Sequence, residues 1–280
     1  MLKVSNRVYR SEVPSVTLPP YRATNAYWVG SRGRVVLVDP GDGQAAGLDT
    51  LRQDWEALGR PLVEAVYCTH YHLDHSGGAR AAGDFFHAPF FLSREDQACL
   101  AAHGADAGGF EVLEPGPLSV GGVDVEVLSA PGHTPGQMNL WMPDEGGLLA
   151  GDNVLGNTTV VIAPPDGDLG RYLASLKTLA SLALAWIGPG HGDLVRDPAA
   201  YLGEYMAHRE ERTRQILALL ESDWTTPRTL AEQVYRGKLD EAQMSLGEWM
   251  VRGHLAWFLD RGWVAERDGR YRKVEDHDFS

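Results

Sequence analysis

The chain has 280 residues, of which 44% are hydrophobic, and its 25 Lys and Arg against 38 Asp and Glu give a formal net charge of −13. This length is enough for a large core with a small second domain, and the acidic balance argues against duplex DNA as a partner. No apolar run approaches the roughly 20 residues that span a bilayer, and residues 1–7 lack the apolar stretch of a secretion signal. With only two cysteines, we expect a cytoplasmic protein without a membrane partner.

The first predicted elements are strands and one helix. Residues 27–29 and 34–38 predict a pair of strands, and residues 45–58 predict an amphipathic helix, because their apolar positions recur at helical spacing. Residues 63–68 then predict a short buried strand. We interpret Cys68 at its end as a small buried apolar residue rather than half of a disulfide.

The stretch T-H-Y-H-L-D-H, residues 69–75, follows that strand and is the most informative motif. It places three imidazoles and one carboxylate within six positions, namely His70, His72, Asp74 and His75. Side chains this close repel one another when protonated and desolvate poorly when neutral, unless a cation compensates them. Imidazole with carboxylate is ligand chemistry for zinc and related metals. The motif therefore predicts a metal site on a strand-to-helix loop at a sheet edge.

Three further ligand candidates each follow an apolar run and a tight turn containing glycine. They are His133 after residues 123–128, Asp152 after residues 148–150, and His191 after residues 184–187. Taken singly, each would be an ordinary loop histidine, a turn former or a helix cap. In this order, and with the first motif, they make five histidines and two aspartates, enough for two metal ions about 3.5–4 Å apart.

The remaining elements are predicted to be four helices and a hairpin, at residues 168–182, 201–220, 228–235, 240–260 and 263–274. We predict a domain boundary that divides the chain into a catalytic domain, residues 1–206, and a small winged-helix-like domain, residues 207–280. In the last helix, Met244, Trp249, Leu255 and Leu259 are core candidates.

The predicted C-terminal domain offers a different interpretation, that of a nucleic-acid-binding module. Residues 207–280 hold 12 Lys and Arg against 14 Asp and Glu, whereas duplex-binding modules are clearly basic. Only the hairpin, with Arg267, Arg270, Arg272 and Lys273, is locally positive. We therefore expect this domain to pack beside the metal site, where it would shape substrate access or a homodimer contact.

The motif series resembles that of the metallo-beta-lactamase-fold hydrolases over roughly residues 20–200. H-x-H-x-D-H is followed by P-G-H-T-P-G at 131–136, G-D at 151–152 and G-P-G-H-G at 188–192. The resemblance implies an α/β fold, an αββα sandwich in which two mixed sheets lie face to face with helices outside. It implies one metal on His70, His72 and His133, a second on Asp74, His75 and His191, and Asp152 as the bridge.

The residues at two positions indicate which branches of these hydrolases the chain does not resemble. The true beta-lactamases carry cysteine where Asp152 stands, so antibiotic hydrolysis is not expected. Diiron flavoproteins of this fold carry glutamate at the position of His72, which favours two Zn²⁺ over redox iron here, with Mn²⁺ and iron as alternatives. Together with the winged-helix-like module, the metal set resembles the beta-lactamase-like protein 2 family, whose members include endoribonucleases acting on single-stranded RNA.

The expected mechanism is hydrolysis by a hydroxide that bridges the two metals, with Asp74 and Asp152 as the catalytic carboxylates. The same chemistry serves phosphodiesters, esters and thioesters. The resemblance, because it covers both predicted domains, implies a single-stranded RNA substrate, and the alternative is an acyl thioester or a small ester. A third interpretation, a non-enzymatic DNA-binding regulator, is disfavoured because all seven ligand positions are filled.

Overall fold

The computed structural model describes residues 1–31, 33–241 and 243–274. Its strands form a seven-stranded sheet in the order β1-β2-β3-β4-β5-β6-β7, a five-stranded sheet in the order β12-β11-β10-β9-β8, and a C-terminal hairpin of β13 and β14. The strands are β1 (Leu2–Lys3), β2 (Val8–Pro14), β3 (Ala23–Ser31), β4 (Arg34–Val38), β5 (Leu62–Tyr67), β6 (Phe90–Leu92), β7 (Phe110–Val112), β8 (Gly116–Val120), β9 (Val123–Ser129), β10 (Met138–Met142), β11 (Gly147–Gly151), β12 (Trp186–Pro189), β13 (Val264–Arg267) and β14 (Arg270–Lys273).

Both large sheets are mixed. β1 to β4 pair antiparallel, β4 to β7 pair parallel, and β12 runs parallel to β11 while β8 to β11 pair antiparallel. The α-helices are α1 (Ala45–Ala57), α2 (Leu73–Ser76), α3 (Ala79–Phe86), α4 (Arg94–Ala102), α5 (Leu169–Ala180), α6 (Pro198–Leu219), α7 (Pro227–Val234) and α8 (Met244–Asp260).

The two sheets face each other across an apolar core. Because side chains alternate along a strand, Tyr27 and Val29 of β3 point inward and pack in one cluster with Val127 and Leu140 of the opposite sheet. Trp28 points the other way, into a cluster with residues of α1, α3 and α4. The outer face of the second sheet is covered by α5 to α8. The predicted αββα sandwich is confirmed.

The C-terminal elements continue the same packing. The predicted boundary between residues 206 and 207 falls inside α6, and one apolar cluster runs from Leu148 of β11 to Val264 of β13. The division into two domains and the winged-helix assignment stay predictions. No helix in the described ranges is both long and apolar enough to cross a membrane.

Two predictions for α8 are wrong. The helix begins at Met244 rather than at residue 240, because Asp240 accepts a hydrogen bond from the Gln243 amide at 2.8 Å and forms a turn instead. Trp249 is 58% exposed rather than part of the core, whereas Leu255 and Phe258 are fully buried. The apolar residues of α8 occupy more than one face, so periodicity alone could not identify the buried one.

Candidate metal centre

The seven predicted ligands lie on four segments that follow strands and meet at one edge of the sandwich, and two of them, Asp74 and His75, lie in the short helix α2. His70, His72, Asp74 and His75 follow β5, and the loops after β9, β11 and β12 carry the other three. Gly151 shows why the loop after β11 needs glycine. Its φ is +48°, and a Cβ there would overlap the Thr69 hydroxyl, so a side chain would displace both Asp152 and the strand end beside His70.

The first trio consists of His70, His72 and His133. His72 Nδ1 lies 3.0 Å from His70 Nε2 and 3.0 Å from His133 Nε2. The three ligand atoms all lie within 4.8 Å of one another, and His70 and His133 are buried. Three imidazole nitrogens that converge in this way form one face of a tetrahedral cation site.

The second trio consists of Asp74, His75 and His191. His75 Nε2 lies 3.1 Å from His191 Nε2, and Asp74 Oδ2 lies 3.2 Å from His191 Nε2 and 3.9 Å from His75 Nε2. This trio also converges within 4.8 Å. It differs from the first trio in containing a carboxylate.

Asp152 lies between the two trios. Its Oδ1 is 3.4 Å from His75 Nε2, and its Oδ2 is 3.8 Å from His133 Nε2. The Oδ1 atom is buried and has no hydrogen-bond partner among the described residues. A buried carboxylate oxygen without a donor is costly, and a cation would satisfy it. The donor set therefore fits two divalent cations that share Asp152.

The first trio is held neutral. Burial lowers the pKa of His70 well below its ordinary value, and the imidazoles of His75 and His72 lower it further. Burial lowers the pKa of His72 to about 3, with His133 adding to the effect. Burial also lowers the pKa of His133. Neutral imidazoles carry the free lone pairs that a metal requires.

The second trio has the opposite electrostatics. Burial lowers the pKa of His75, but the carboxylates of Asp152 and Asp74 outweigh burial and hold it well above its ordinary value. The pKa of His191 is raised against burial by the same two carboxylates. Burial raises the pKa of Asp74, but His75 and a hydrogen bond from His191 outweigh it and lower the pKa to about 2. A cation bound by the second trio would therefore displace protons from His75 and His191.

Asp39 and Thr69 orient ligands of both trios, and sequence analysis missed this role. Asp39 is buried, and its Oδ2 lies 2.9 Å from His75 Nδ1. The same oxygen accepts a hydrogen bond from Thr69 Oγ1 at 2.8 Å, and that hydroxyl lies 3.0 Å from His70 Nδ1. One carboxylate therefore fixes the ring planes of His75 and, through Thr69, of His70.

Backbone carbonyls orient two other ligands. His133 Nδ1 lies 3.1 Å from the carbonyl oxygen of Val161, and His191 Nδ1 lies 2.7 Å from that of Ala23. Each carbonyl accepts a hydrogen bond from Nδ1–H, which leaves Nε2 as the metal-facing lone pair.

The loop between β2 and β3 contacts His191 of the second trio. Thr17 Oγ1 is 3.5 Å from His191 Nε2, and the ring of Tyr21 stacks on that of His191 at 5.2 Å. The residues on either side of Thr17 are exposed and apolar, Val16 at 74% and Leu18 at 54%. In the part of the chain that the structure describes, no Lys or Arg side chain forms a hydrogen bond or an ion pair with any of the seven ligands.

Comparisons with known proteins show the family to which the chain belongs. The family profile described as the metallo-beta-lactamase superfamily matches residues 19–191. Lactamase-like protein adaB of Aspergillus niger is 34% identical over 200 residues, which are 71% of this chain and 59% of that protein. The match thus spans about three fifths of that relative. The beta-lactamase-like protein 2 homolog of Caenorhabditis elegans is 30% identical over 221 residues, 76% of this chain and 71% of that protein.

Solved structures show the same fold. The crystal structure of a metallo-beta-lactamase family protein from Thermus thermophilus superposes with a TM-score of 0.80 and 23% identity, and covers 97% of this chain and 100% of that chain. A second structure, of a protein in a di-iron-bound form, is 28% identical with a TM-score of 0.52, and covers 68% of this chain and 94% of that chain. That protein holds iron.

Proposed function

Because the chain belongs to the metallo-beta-lactamase superfamily, we propose that it is a dinuclear metal-dependent hydrolase of acyl esters or thioesters. The observation that carries the proposal of two metals is the position of Asp152. Its two oxygens face different trios, and the buried Oδ1, which lies 3.4 Å from His75 Nε2 and 3.7 Å from His191 Nε2, forms no hydrogen bond with the described residues. A single cation would leave one trio of buried donors uncompensated.

His70, His72 and His133 would hold one cation, and Asp74, His75 and His191 the other. When bound, two divalent cations supply hydroxide at neutral pH and Lewis-acid stabilisation of a developing oxyanion. Asp152 would hold the two halves of the centre at a fixed separation. Asp74, whose pKa is lowered to about 2, is ionised at neutral pH. Such a weak base would orient the nucleophile by accepting its hydrogen bond rather than retain its proton.

Zinc is the proposed metal. Five imidazoles with two carboxylates suit Zn²⁺, and neither described cysteine is among the ligands. Manganese and iron bind similar donor sets, and the similar protein with two irons keeps iron as the competing choice. Elemental analysis of the protein as purified separates these metals.

The exposed apolar side chains near the ligands support the acyl substrate. Val16 and Leu18 flank the hydroxyl that reaches His191, and Leu73, between two ligands, is 57% exposed. These side chains would contact an acyl chain and lose apolar surface to it. A phosphodiester backbone would instead call for Lys or Arg beside the centre.

Cleavage of single-stranded RNA is the second candidate, favoured by the C-terminal hairpin. Arg270 and Arg272 are exposed, and the guanidinium of Arg272 lies over the ring of Trp224 at 5.1 Å. Cation and aromatic surface together suit a phosphate and a stacked base. The described residues around the metal centre offer no comparable pair.

The test is a parallel assay of the zinc-loaded full chain on acyl thioesters of increasing chain length and on labelled single-stranded RNA. We expect kcat/KM to rise with acyl length, and the double variant Val16→Ser/Leu18→Ser to lose roughly tenfold on the longest substrate and less than about twofold on the acetyl substrate. Leu62→Ser is the matched control, because Leu62 is 55% exposed at the start of β5.

Two results would contradict the acyl proposal. The first is RNA cleavage that Asp152→Ala abolishes, together with no thioester hydrolysis. The second is equal loss in the double variant and in Leu62→Ser. If RNA is the substrate, Arg270→Gln/Arg272→Gln should weaken its cleavage and leave a small chromogenic ester unaffected.

A further inference from the structure

The segment of residues 160–163, between β11 and α5, is part of the metal centre although it supplies no ligand. The Val161 carbonyl accepts the hydrogen bond from His133 Nδ1, so its position sets the direction of the His133 ring. Val160 and Ile162 on either side are buried. The segment has no helical or strand hydrogen bonds of its own, and its geometry must therefore be imposed by neighbouring elements.

Two side chains of helix α6 form hydrogen bonds with the amide and the carbonyl of Val160. The Val160 amide donates a hydrogen bond to the Tyr205 hydroxyl at 2.9 Å, and the guanidinium of Arg209 donates to the Val160 carbonyl. Tyr205 and Arg209 are both buried. Because a peptide unit is planar, the hydrogen bond from Arg209 to the Val160 carbonyl also fixes the Val161 amide, and the Val161 carbonyl extends from that fixed unit toward His133.

Arg209 also reaches the neighbourhood of Asp152. Its guanidinium lies over the ring of Tyr172 at 5.1 Å. The Tyr172 hydroxyl donates a hydrogen bond to the carbonyl of Asn153 at 2.8 Å, directly after the bridging carboxylate. One buried side chain of α6 is thus connected to the supports of two metal ligands.

Helix α8 closes the segment from the other side. A Cβ at Gly253 would overlap the carbonyl oxygen of Ile162. Backbone therefore packs on backbone, and α8 can approach this closely only with glycine at that position. Residues of α6 and α8 together enclose the segment that carries the Val161 carbonyl.

A buried arginine is an expensive way to achieve packing alone. Arg209 forms no ion pair with a carboxylate among the described residues, so its desolvation is offset by the Val160 carbonyl and by the rings and hydroxyls of Tyr172 and Tyr205, all of them neutral groups. An apolar side chain of similar volume would fill the space at lower cost. The cost is understandable if the hydrogen bond to Val160 is what the site requires.

We propose that Arg209 and Tyr205 are positioning residues for the first trio, so that the C-terminal helices set the affinity of the cation held by His70, His72 and His133. The inference rests on the proposed dinuclear centre. It assigns a role at the metal to a part of the chain that lies outside the matched family region, residues 19–191.

The test is a competitive titration of the metal-free full chain with Zn²⁺ against a chromophoric chelator, which yields one affinity for each trio. His72→Ala and Asp74→Ala identify which affinity belongs to which trio. We expect Arg209→Met to weaken the first trio about 10–100-fold, as loss of an outer-layer partner typically does, and to change the second trio less than about twofold. Tyr205→Phe, a milder change, should act in the same direction, and Arg209→Lys should restore part of the loss.

Matched controls come from the same helices. Arg212→Met removes an arginine of α6 that stacks on Tyr235 at 4.5 Å. Gly247→Ala adds a methyl group to α8 that would meet only the side chains of Leu239 and Tyr235, which can move, and no backbone atom. Both should leave the ratio of the two affinities unchanged, whereas Gly253→Ala should lower the first affinity selectively. Thermal unfolding of the metal-free variants reports general destabilisation separately.

Three outcomes overturn the idea. One is an unchanged ratio of affinities in Arg209→Met, Tyr205→Phe and Gly253→Ala while the wild type binds two cations. Another is an equal shift in these variants and in the controls. If the wild type itself binds no cation, the proposed function fails first, and the inference falls with it.

Discussion

The first and second trios differ in the groups that surround their buried ligand atoms and in the charge that those ligand atoms carry. The first consists of imidazoles alone, their pKa values lowered chiefly by burial, and its His133 is hydrogen-bonded to the Val161 carbonyl, whose neighbours Val160 and Ile162 contact α6 and α8. The second contains Asp74, and Asp39 lies behind its His75. Its two histidines are protonated more readily than free histidine. A metal-free protein therefore has one trio ready to bind and one that protons occupy.

This asymmetry predicts two unequal cation sites. The first trio would bind without competition from protons, and its affinity would depend on the packing of the C-terminal helices. The second trio would bind its cation in competition with protons. Its His75 is oriented by Asp39, which lies within the sandwich itself. Asp152 belongs to both, because each of its oxygens faces a different trio.

The largest effect is expected for Asp152→Ala, because this change removes the group common to both trios. Hydrolysis should fall by more than the ~100-fold that loss of an outer-layer partner typically costs, and the metal content should fall below two ions per chain. Elemental analysis beside the rate measurement checks both. An undiminished metal content would contradict the bridging role.

His72→Ala should affect the first trio alone. One zinc per chain should be lost, while the second trio keeps its cation within about threefold of the wild-type affinity, since the Nδ1 atom of His72 lies 3.0 Å from two histidines of its own trio. Asp74→Ala is the reciprocal variant. If either substitution empties both trios, the two sites are not separable as described.

A smaller effect, and the most specific to the asymmetry, is the dependence of the two affinities on pH. His75 and His191 have pKa values raised above 6.5, so they must lose protons to bind a cation. The affinity of the second trio should therefore rise as the pH increases from about 6 to about 8. The rise should be about tenfold per pH unit for each proton released. The first trio, already neutral in this range, should change little.

Calorimetry in buffers of different ionisation enthalpy measures the protons released at each step. Protons should be released when a cation binds the second trio and not when one binds the first trio. Equal release at both steps would show that the two sets of histidines titrate alike.

The seven clustered residues could be predicted because four of them directly follow a strand, because the other three each follow a strand and a glycine-containing turn, and because strand ends of a layered fold meet at a common edge. The sandwich followed from the same motifs. Asp39 was missed because Asp-Pro-Gly at the end of a strand also predicts an ordinary turn. Its role depends on a contact with His75, 36 positions away, which no local pattern reveals.

Arg209 was missed for a related reason. It belongs to a segment rich in charged side chains, where an arginine is normally solvated, and only the tertiary packing of α6 on residues 160–163 buries it. Trp249 shows the reverse error: an apolar residue at helical spacing that remains exposed, because two flanks of α8 carry apolar side chains. In both cases the sequence predicts a helix in the right region, although not its bounds, and long-range packing decides which face is buried.

Anomalous diffraction from a crystal of the zinc-loaded full chain tests the dinuclear centre most directly. We predict two peaks, one bounded by His70 Nε2, His72 Nδ1 and His133 Nε2 and one by Asp74 Oδ2, His75 Nε2 and His191 Nε2, with an oxygen of Asp152 beside each. A single peak, or peaks outside these two trios under saturating zinc, would contradict the account.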